Sequence, residues 1–206
     1  MAKDREIRNI VFDFGGVLVG LDKRRCIAAL DSIGAWEISG YVDECRQEDL
    51  FHDLEIGSIG VAEFCNEVRR KSPRCHASDE KIAWAWGELL TGIPQEKLLR
   101  IAELRKDHRI FLLSNTNVIH WELSVEKYFR CGELGVGDFF ERIFLSYEMG
   151  MVKPGREIFL TMLAEAGIDA GETLFIDDSA ANCEAAESVG INTMHDPEGW
   201  LWMKKL

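Results

Sequence analysis

The sequence predicts an α/β fold: a parallel sheet with right-handed crossovers, interrupted near its start by an inserted helical unit. Three observations carry this. Five short apolar runs, each followed by loop-forming residues, suit strands buried on both faces. In the carboxyl half these runs alternate with helical patterns, the signature of strand–helix–strand units. Between the first and second runs lie about 70 residues with helical patterns and no strand, far more than one crossover requires.

The strands are expected at Ile7–Phe12, Ile110–Leu113, Ile143–Leu145, Leu174–Ile176 and Ile191–Met194. In the insertion, helices are expected at Lys23–Ile33, Tyr41–Leu50, Val61–Arg70 and Ser78–Leu90, with breaks at Gly34, Gly40, Gly57, Gly60 and Pro73. Further on, Ile158, Phe159, Met162, Leu163 and Ala166 repeat at helical spacing between Pro154 and Gly167. Ala181, Ala185, Ala186 and Val189 form a second such stripe that stops at Gly190. A chain of 206 residues, at roughly 150 per domain, accommodates one domain plus a modest insertion. The expected division is a core of residues 1–20 and 92–206 and a helical cap of residues 21–91.

Composition narrows the function. A formal net charge of −12 repels phosphate backbones and anionic lipid, which argues against nucleic-acid and membrane-surface partners. No apolar run approaches the roughly 18 residues of a membrane span, and the charged start MAKDREIRN has no signal-peptide core. Six cysteines are scattered without a C-x-x-C pair, which reads as reduced, mostly buried thiols in a cytoplasmic protein.

Four segments carry chemistry, each at the carboxyl end of an apolar strand, the edge where α/β sheets bind ligands. In IVFDFGGVL, Asp13 directly follows buried positions and is either a turn-capping residue or a nucleophile or metal ligand on a glycine-permitted turn. In IFLLSNTN, Ser114 and its neighbours run into a helix, either as a cap or as hydroxyl and amide donors to an anion. Lys153, before Pro154, places a cation near the start of another helix. In LFIDDSAAN, Asp177 and Asp178 are adjacent carboxylates whose mutual repulsion calls for a cation, and hard oxygen ligands of this kind suit Mg²⁺. The competing assignment makes Asp178 the cap of the following helix.

Taken in order, the four segments resemble the motifs of the haloacid dehalogenase superfamily of phosphohydrolases, and the helical insertion resembles its small cap class. FDFGGVL, LLSNTN with His120 following, and FIDDSAAN are most similar to sugar-phosphate phosphatases of the glucose-1-phosphatase kind and to the phosphatase domain of soluble epoxide hydrolase. The resemblance implies a Rossmann-like core of strand order 3-2-1-4-5. It implies a Mg²⁺-dependent phosphatase acting on a small phosphorylated metabolite, a sugar phosphate, through an aspartyl-phosphate intermediate. By the same resemblance Asp13 is the nucleophile and, with the Gly15 carbonyl and Asp178, a metal ligand. Lys153, Ser114 and Asn115 would hold the phosphoryl group, with Asp177 orienting Lys153 or water from behind. Cap specificity would come from the segment Leu54–Gly60 or from Trp84 and Trp86, the tryptophans otherwise serving as cap core.

One departure stands out. The superfamily's phosphatases usually carry an acid two residues after the nucleophile, and this chain has Gly15 there. That predicts a preference for leaving groups that tolerate negative charge, such as anomeric over primary sugar phosphates. It also keeps open a catalytically impaired phosphate-binding or regulatory protein, and, less in keeping with Asp177-Asp178, a metal-free haloacid dehalogenase.

Overall fold

The structure, a computed structural model, describes residues 6–43 and 49–206. A five-stranded sheet is built from β1 (Asn9–Phe12), β4 (Arg109–Ser114), β5 (Arg142–Leu145), β6 (Thr173–Asp177) and β7 (Asn192–His195), in the order β5-β4-β1-β6-β7. All four pairings are parallel, so the expected order 3-2-1-4-5 is the one observed. Strand boundaries differ from the apolar runs by one or two residues: β4, β5 and β6 extend into flanking polar residues, whereas β1 starts at Asn9 and β7 at Asn192, inside or past the start of their runs.

Burial on both faces explains the runs. Along β1, Ile10 and Phe12 join one core cluster while Val11 joins another, with alternating residues of β4 and β6 dividing the same way. Helices cover each face: α6 (Gln95–Leu104) and α12 (Trp202–Lys205) belong to the first, α10 (Arg156–Ala166) and α11 (Ala180–Glu187) to the second. Gly167 ends α10 in the left-handed conformation, as its place after the apolar stripe predicts. The polar-rich α6 was not anticipated; its inward residues are Leu98, Ile101 and Leu104, a narrow stripe between charged positions.

The chain leaves the core through β2 (Gly20–Leu21) and returns through β3 (Leu90–Gly92), which pair antiparallel. Between them lie α1 (Lys23–Ser32), α2 (Trp36–Asp43), α3 (Asp49–Glu55), α4 (Val61–Lys71) and α5 (Asp79–Gly87). Asp22 caps α1 by accepting from the Arg24 and Arg25 amides, and Ser78 caps α5 through the Lys81 amide. These helices share a separate core that includes Leu30, Ile38, Phe64, Val68, Ile82 and Trp86. The expected break at Gly40 does not occur: Gly40 lies inside α2, where burial of Ile38 and Val42 outweighs the roughly 1 kcal/mol helix penalty of glycine. The expected helix Tyr41–Leu50 is divided between the end of α2 and the start of α3, and residues 44–48 lie outside the described residues. Among the described residues no helix is long and apolar enough to cross a membrane, and Cys26, Cys65, Cys75, Cys131 and Cys183 are free and buried.

The carboxyl-terminal segment braces the loop after β1. Trp202 is fully buried edge-on to Phe12, ring centroids 4.8 Å apart. Asp196 fixes this segment by accepting from the Trp200 and Trp202 amides at 3.1 and 3.0 Å. Gly199 packs so closely on the Gly16 and Val17 carbonyls that a Cβ there would collide with them. Trp202→Ala should therefore destabilise the protein by about 3–5 kcal/mol in guanidinium denaturation; a loss below about 1 kcal/mol would show that α12 is not part of the core.

Candidate active site

All the candidate residues converge on the carboxyl edge of the sheet, at β1 and its neighbours. The chain winds from β1 outward through β4 and β5, then returns to the other side of β1 as β6, so β1/β6 is the switch point where α/β sheets open a crevice. Asp13 follows β1, Ser114 ends β4, and Asp177 ends β6 with Asp178 just beyond. The parallel register aligns Phe12 with Leu112 and Ile176, which brings Asp13 level with the ends of both neighbouring strands.

Lys153 joins them. It lies between α9 (Ser146–Met149) and α10, before a cis Pro154, and its side chain is buried. Its Nζ donates to Asp13 Oδ1 and to Asp177 Oδ2, each at 2.7 Å, and to the Leu113 carbonyl at 3.2 Å. Asp177 is fully buried and further held by the Ser179 amide at 2.8 Å and by Asn182 Nδ2 at 3.0 and 3.1 Å to its two oxygens. Asp178 does not cap α11, where Ser179 occupies the cap position.

The amide donor expected of Asn115 is left to its main chain. Its side chain does not reach out as a phosphate ligand: Oδ1 accepts from the Lys153 amide at 2.8 Å and Nδ2 donates to the Lys153 carbonyl at 2.9 Å. Asn115 is thus a clamp that positions Lys153, and only its main chain is left to meet a ligand. Ser114 differs. Its Oγ is buried with no hydrogen-bond partner, an arrangement that costs roughly 1–3 kcal/mol unless a ligand completes it. The helix cap that Ser114 was an alternative for is Asn117, which accepts from the His120 amide at the start of α7 (Val118–Lys127).

Of the two glycines after Asp13, only Gly16 is required by the backbone. It has φ of +76°, and a Cβ there would collide with the Asp178 carboxylate. Gly15 is outside the left-handed region, and a Cβ on it would meet only Leu21, at 3.6 Å.

Asp13, Asp177 and Asp178 each place an oxygen within 4.8 Å of the others. One ammonium faces three carboxylates, so the cluster is short of positive charge. Burial, reinforced by Asp177 and opposed by Lys153, lifts Asp13 to about 7. Burial and Asp177 also push Asp178 upward. Burial disfavours the Lys153 ammonium, but Asp13 and Asp177 outweigh it and hold the proton on nitrogen. A divalent cation reverses this balance and keeps all three carboxylates ionised, so the donor set fits Mg²⁺.

A cleft of about 280 Å³ opens beside this cluster between the core and the helical insertion. Gly15, Asn115, Thr116 and His120 line it from the core, and Lys23, Tyr41, His52, Glu55 and Trp86 from the insertion. Of the tryptophans, Trp86 is buried and stacks on Phe51 and His120, whereas Trp84 is exposed on the far side of α5. Glu55 lies in the segment Leu54–Gly60 expected to set cap specificity; Asn182 has no role assigned from the sequence and sits in the first turn of α11, five residues after Asp177.

Residues 7–190 match the family model for haloacid dehalogenase-like hydrolases. The chain belongs to the haloacid dehalogenase-like hydrolase family. Within that family it is 33% identical over 202 residues to a D-ribitol-5-phosphate phosphatase of Bacteroides thetaiotaomicron, covering 97% of both chains. A family enzyme from the same organism, crystallised with magnesium and inorganic phosphate, superposes with a TM-score of 0.92 at 40% identity, over 97% of this chain and 99% of that one. A predicted family hydrolase from Porphyromonas gingivalis gives 0.87 at 36% identity, over 98% and 97%.

His120 faces the cleft, but both ring nitrogens are engaged. Nε2 donates to the Trp86 carbonyl at 3.0 Å, and Nδ1 accepts from Asn117 Nδ2 at 3.2 Å. Burial depresses its pKa to about 4, against the pull of the Trp86 carbonyl. The unfolded imidazole takes up its proton near 6.5, so between these values the unfolded state binds more protons and stability is lost as the pH is lowered. The wild type should lose on the order of 3 kcal/mol more than His120→Gln between pH 7 and pH 4. Parallel stability profiles for the two proteins would show that the histidine titrates normally.

Proposed function

We propose that this chain is a Mg²⁺-dependent phosphomonoesterase that hydrolyses a small sugar or polyol phosphate through a phosphate ester on Asp13. The observation that carries this reading is the buried Lys153 ammonium bridging Asp13 and Asp177 beside the unpartnered Ser114 hydroxyl. A carboxylate oriented by an ammonium is a nucleophile, and a buried donor without a partner is half of an oxyanion site.

Asp13 and Asp178, with the Gly15 carbonyl, would hold Mg²⁺, which when bound neutralises charge on the phosphoryl oxygens. Lys153 keeps the Asp13 carboxylate in one orientation and offers positive charge to the phosphoryl group. The Ser114 hydroxyl and the Asn115 main chain supply further donors. Asp177 is withdrawn from the substrate and holds Lys153 from behind. Phosphoryl transfer depends mainly on positioning and electrostatics, which these groups provide. They also let a strongly acidic chain accept an anion.

The insertion, residues 21–91, acts as a cap over a core of residues 1–20 and 92–206, and it contacts the leaving group. The expectation of an anomeric phosphate gives way here. D-ribitol 5-phosphate, the substrate in the relative's name, is a primary ester, so a terminal phosphate on a short polyol or sugar is the favoured class. The polar groups in the cleft wall, among them His52, Glu55 and Thr116, suit the hydroxyls of such a molecule, beside an apolar remainder. The free, buried cysteines fit a reducing compartment, and we place the protein in the cytoplasm.

Asp13→Asn is expected to abolish Mg²⁺-dependent release of phosphate from p-nitrophenyl phosphate with the fold intact; retention of more than about a hundredth of the wild-type rate, against the 10²–10⁴-fold or larger losses typical of core catalytic groups, would remove Asp13 from the nucleophile's role. Mg²⁺ should raise the melting temperature of the wild type by linkage and do so much less for Asp178→Ala. An equal rise in both proteins would place the metal elsewhere.

A further inference from the structure

No acid stands two residues after Asp13, and the backbone does not impose this, since Gly15 has room for a Cβ. A primary alkoxide is nevertheless a poor leaving group, so its proton has to come from another wall of the cleft. On the core side, His120 is held neutral with both nitrogens bonded. Among the group types lining the cap side, a carboxyl and an imidazole are those suited to giving up and regaining a proton near neutrality, which restricts the choice to Glu55 and His52.

The geometry favours Glu55. It is half-buried where α3 ends, whereas His52, one turn earlier, is exposed. Among the described residues Glu55 makes no hydrogen bond or ion pair, so its carboxyl is uncommitted. Two residues later Gly57 has φ of +69°, and a Cβ there would collide with the Tyr147 carbonyl on α9. The cap chain is therefore pressed against the core immediately after Glu55, on the element that leads into the Lys153 loop. The Glu55 carboxyl is close enough to sense the Lys153 charge.

We propose that Glu55 is the general acid and base of this reaction. In the first half, Asp13 Oδ bonds to phosphorus, the P–O ester bond breaks, and the Glu55 carboxyl gives its proton to the departing oxygen. In the second half, the Glu55 carboxylate takes a proton from the water that attacks phosphorus. The Asp13–phosphate bond then breaks, inorganic phosphate leaves, and Glu55 is protonated again. Burial pushes the Glu55 carboxyl upward from its ordinary value, opposed by His52 and Lys153, the direction that favours the acid form. The assignment rests on the phosphomonoesterase reading above and names its proton source.

The test is kcat/KM, with Mg²⁺, for phosphate esters of graded leaving-group pKa, from acidic phenols to primary alcohols, in wild type, Glu55→Gln, Glu55→Ala and His52→Asn. Wild type should show a shallow dependence. Either Glu55 variant should lose about 10²–10⁴-fold on primary alkyl esters while retaining most activity on the most acidic aryl esters, so that the dependence becomes steep. Glu55→Ala leaves no amide at the seam and decides the matter if Glu55→Gln does not fold. His52→Asn should keep the shallow dependence. An equal loss on every ester in both Glu55 variants, or a steep dependence in His52→Asn instead, would overturn the assignment. Absence of Mg²⁺-dependent turnover of any ester by the wild type would instead overturn the phosphomonoesterase reading, and this assignment with it.

Discussion

One buried ammonium organises this molecule. Lys153 Nζ reaches Asp13 and Asp177 at 2.7 Å from each, and among the described residues no other cation pairs with either carboxylate. Without Lys153, two carboxylates at the ends of adjacent buried strands would face each other in a dry environment, an arrangement whose penalty exceeds that of most single substitutions. The rest of the site exists to hold that ammonium in place. Asn115 grips its main chain at both N–H and carbonyl, and Asn182 with the Ser179 amide fixes the far carboxylate. The sheet supplies the remaining constraint, because β1 lies between β4 and β6 and so sets Asp13 level with the ends of both.

The same interaction resolves the conflict between an acidic protein and an anionic substrate. The net charge of −12 acts at long range and is screened within about 10 Å at 0.1 M salt. At the sheet edge the local field is set by Lys153, by unsatisfied donors such as Ser114 Oγ, and by the cation that three converging carboxylates require. In the proposed reaction the cap would choose what is attached to the phosphate, through a cleft with both apolar and polar walls.

How much of this is legible in the sequence follows from where the information lies. The strands are readable because burial on both faces makes Ile10–Phe12, Ile110–Leu113 and Leu174–Ile176 continuously apolar. The site is readable for the converse reason: Asp13 and Asp177 are carboxylates placed directly after such runs, where an uncompensated charge is costly. What is not readable is partnership. Nothing local to Asn115 shows that its side chain turns to a lysine 38 residues away, and nothing in His120 shows that its ring is bonded across to Trp86. In the cap, Gly40 reads as a break because local propensity does not register the burial of Ile38 and Val42 on either side of it. Glu55 reads only as one residue of the Leu54–Gly60 segment, since its significance depends on the Gly57 turn docking on α9.

The central claim, that the lysine-bound Asp13 carboxylate bonds to phosphorus, is tested most directly by acid-quenching the wild-type enzyme during turnover of a phosphate ester with Mg²⁺ and mapping the trapped phosphate by peptide mass spectrometry. The account predicts an acid-stable, hydroxylamine-labile acyl phosphate on Asp13 and on no other residue. Phosphate trapped on a different side chain, or turnover with no phosphoenzyme under conditions where formation outpaces hydrolysis, would contradict it.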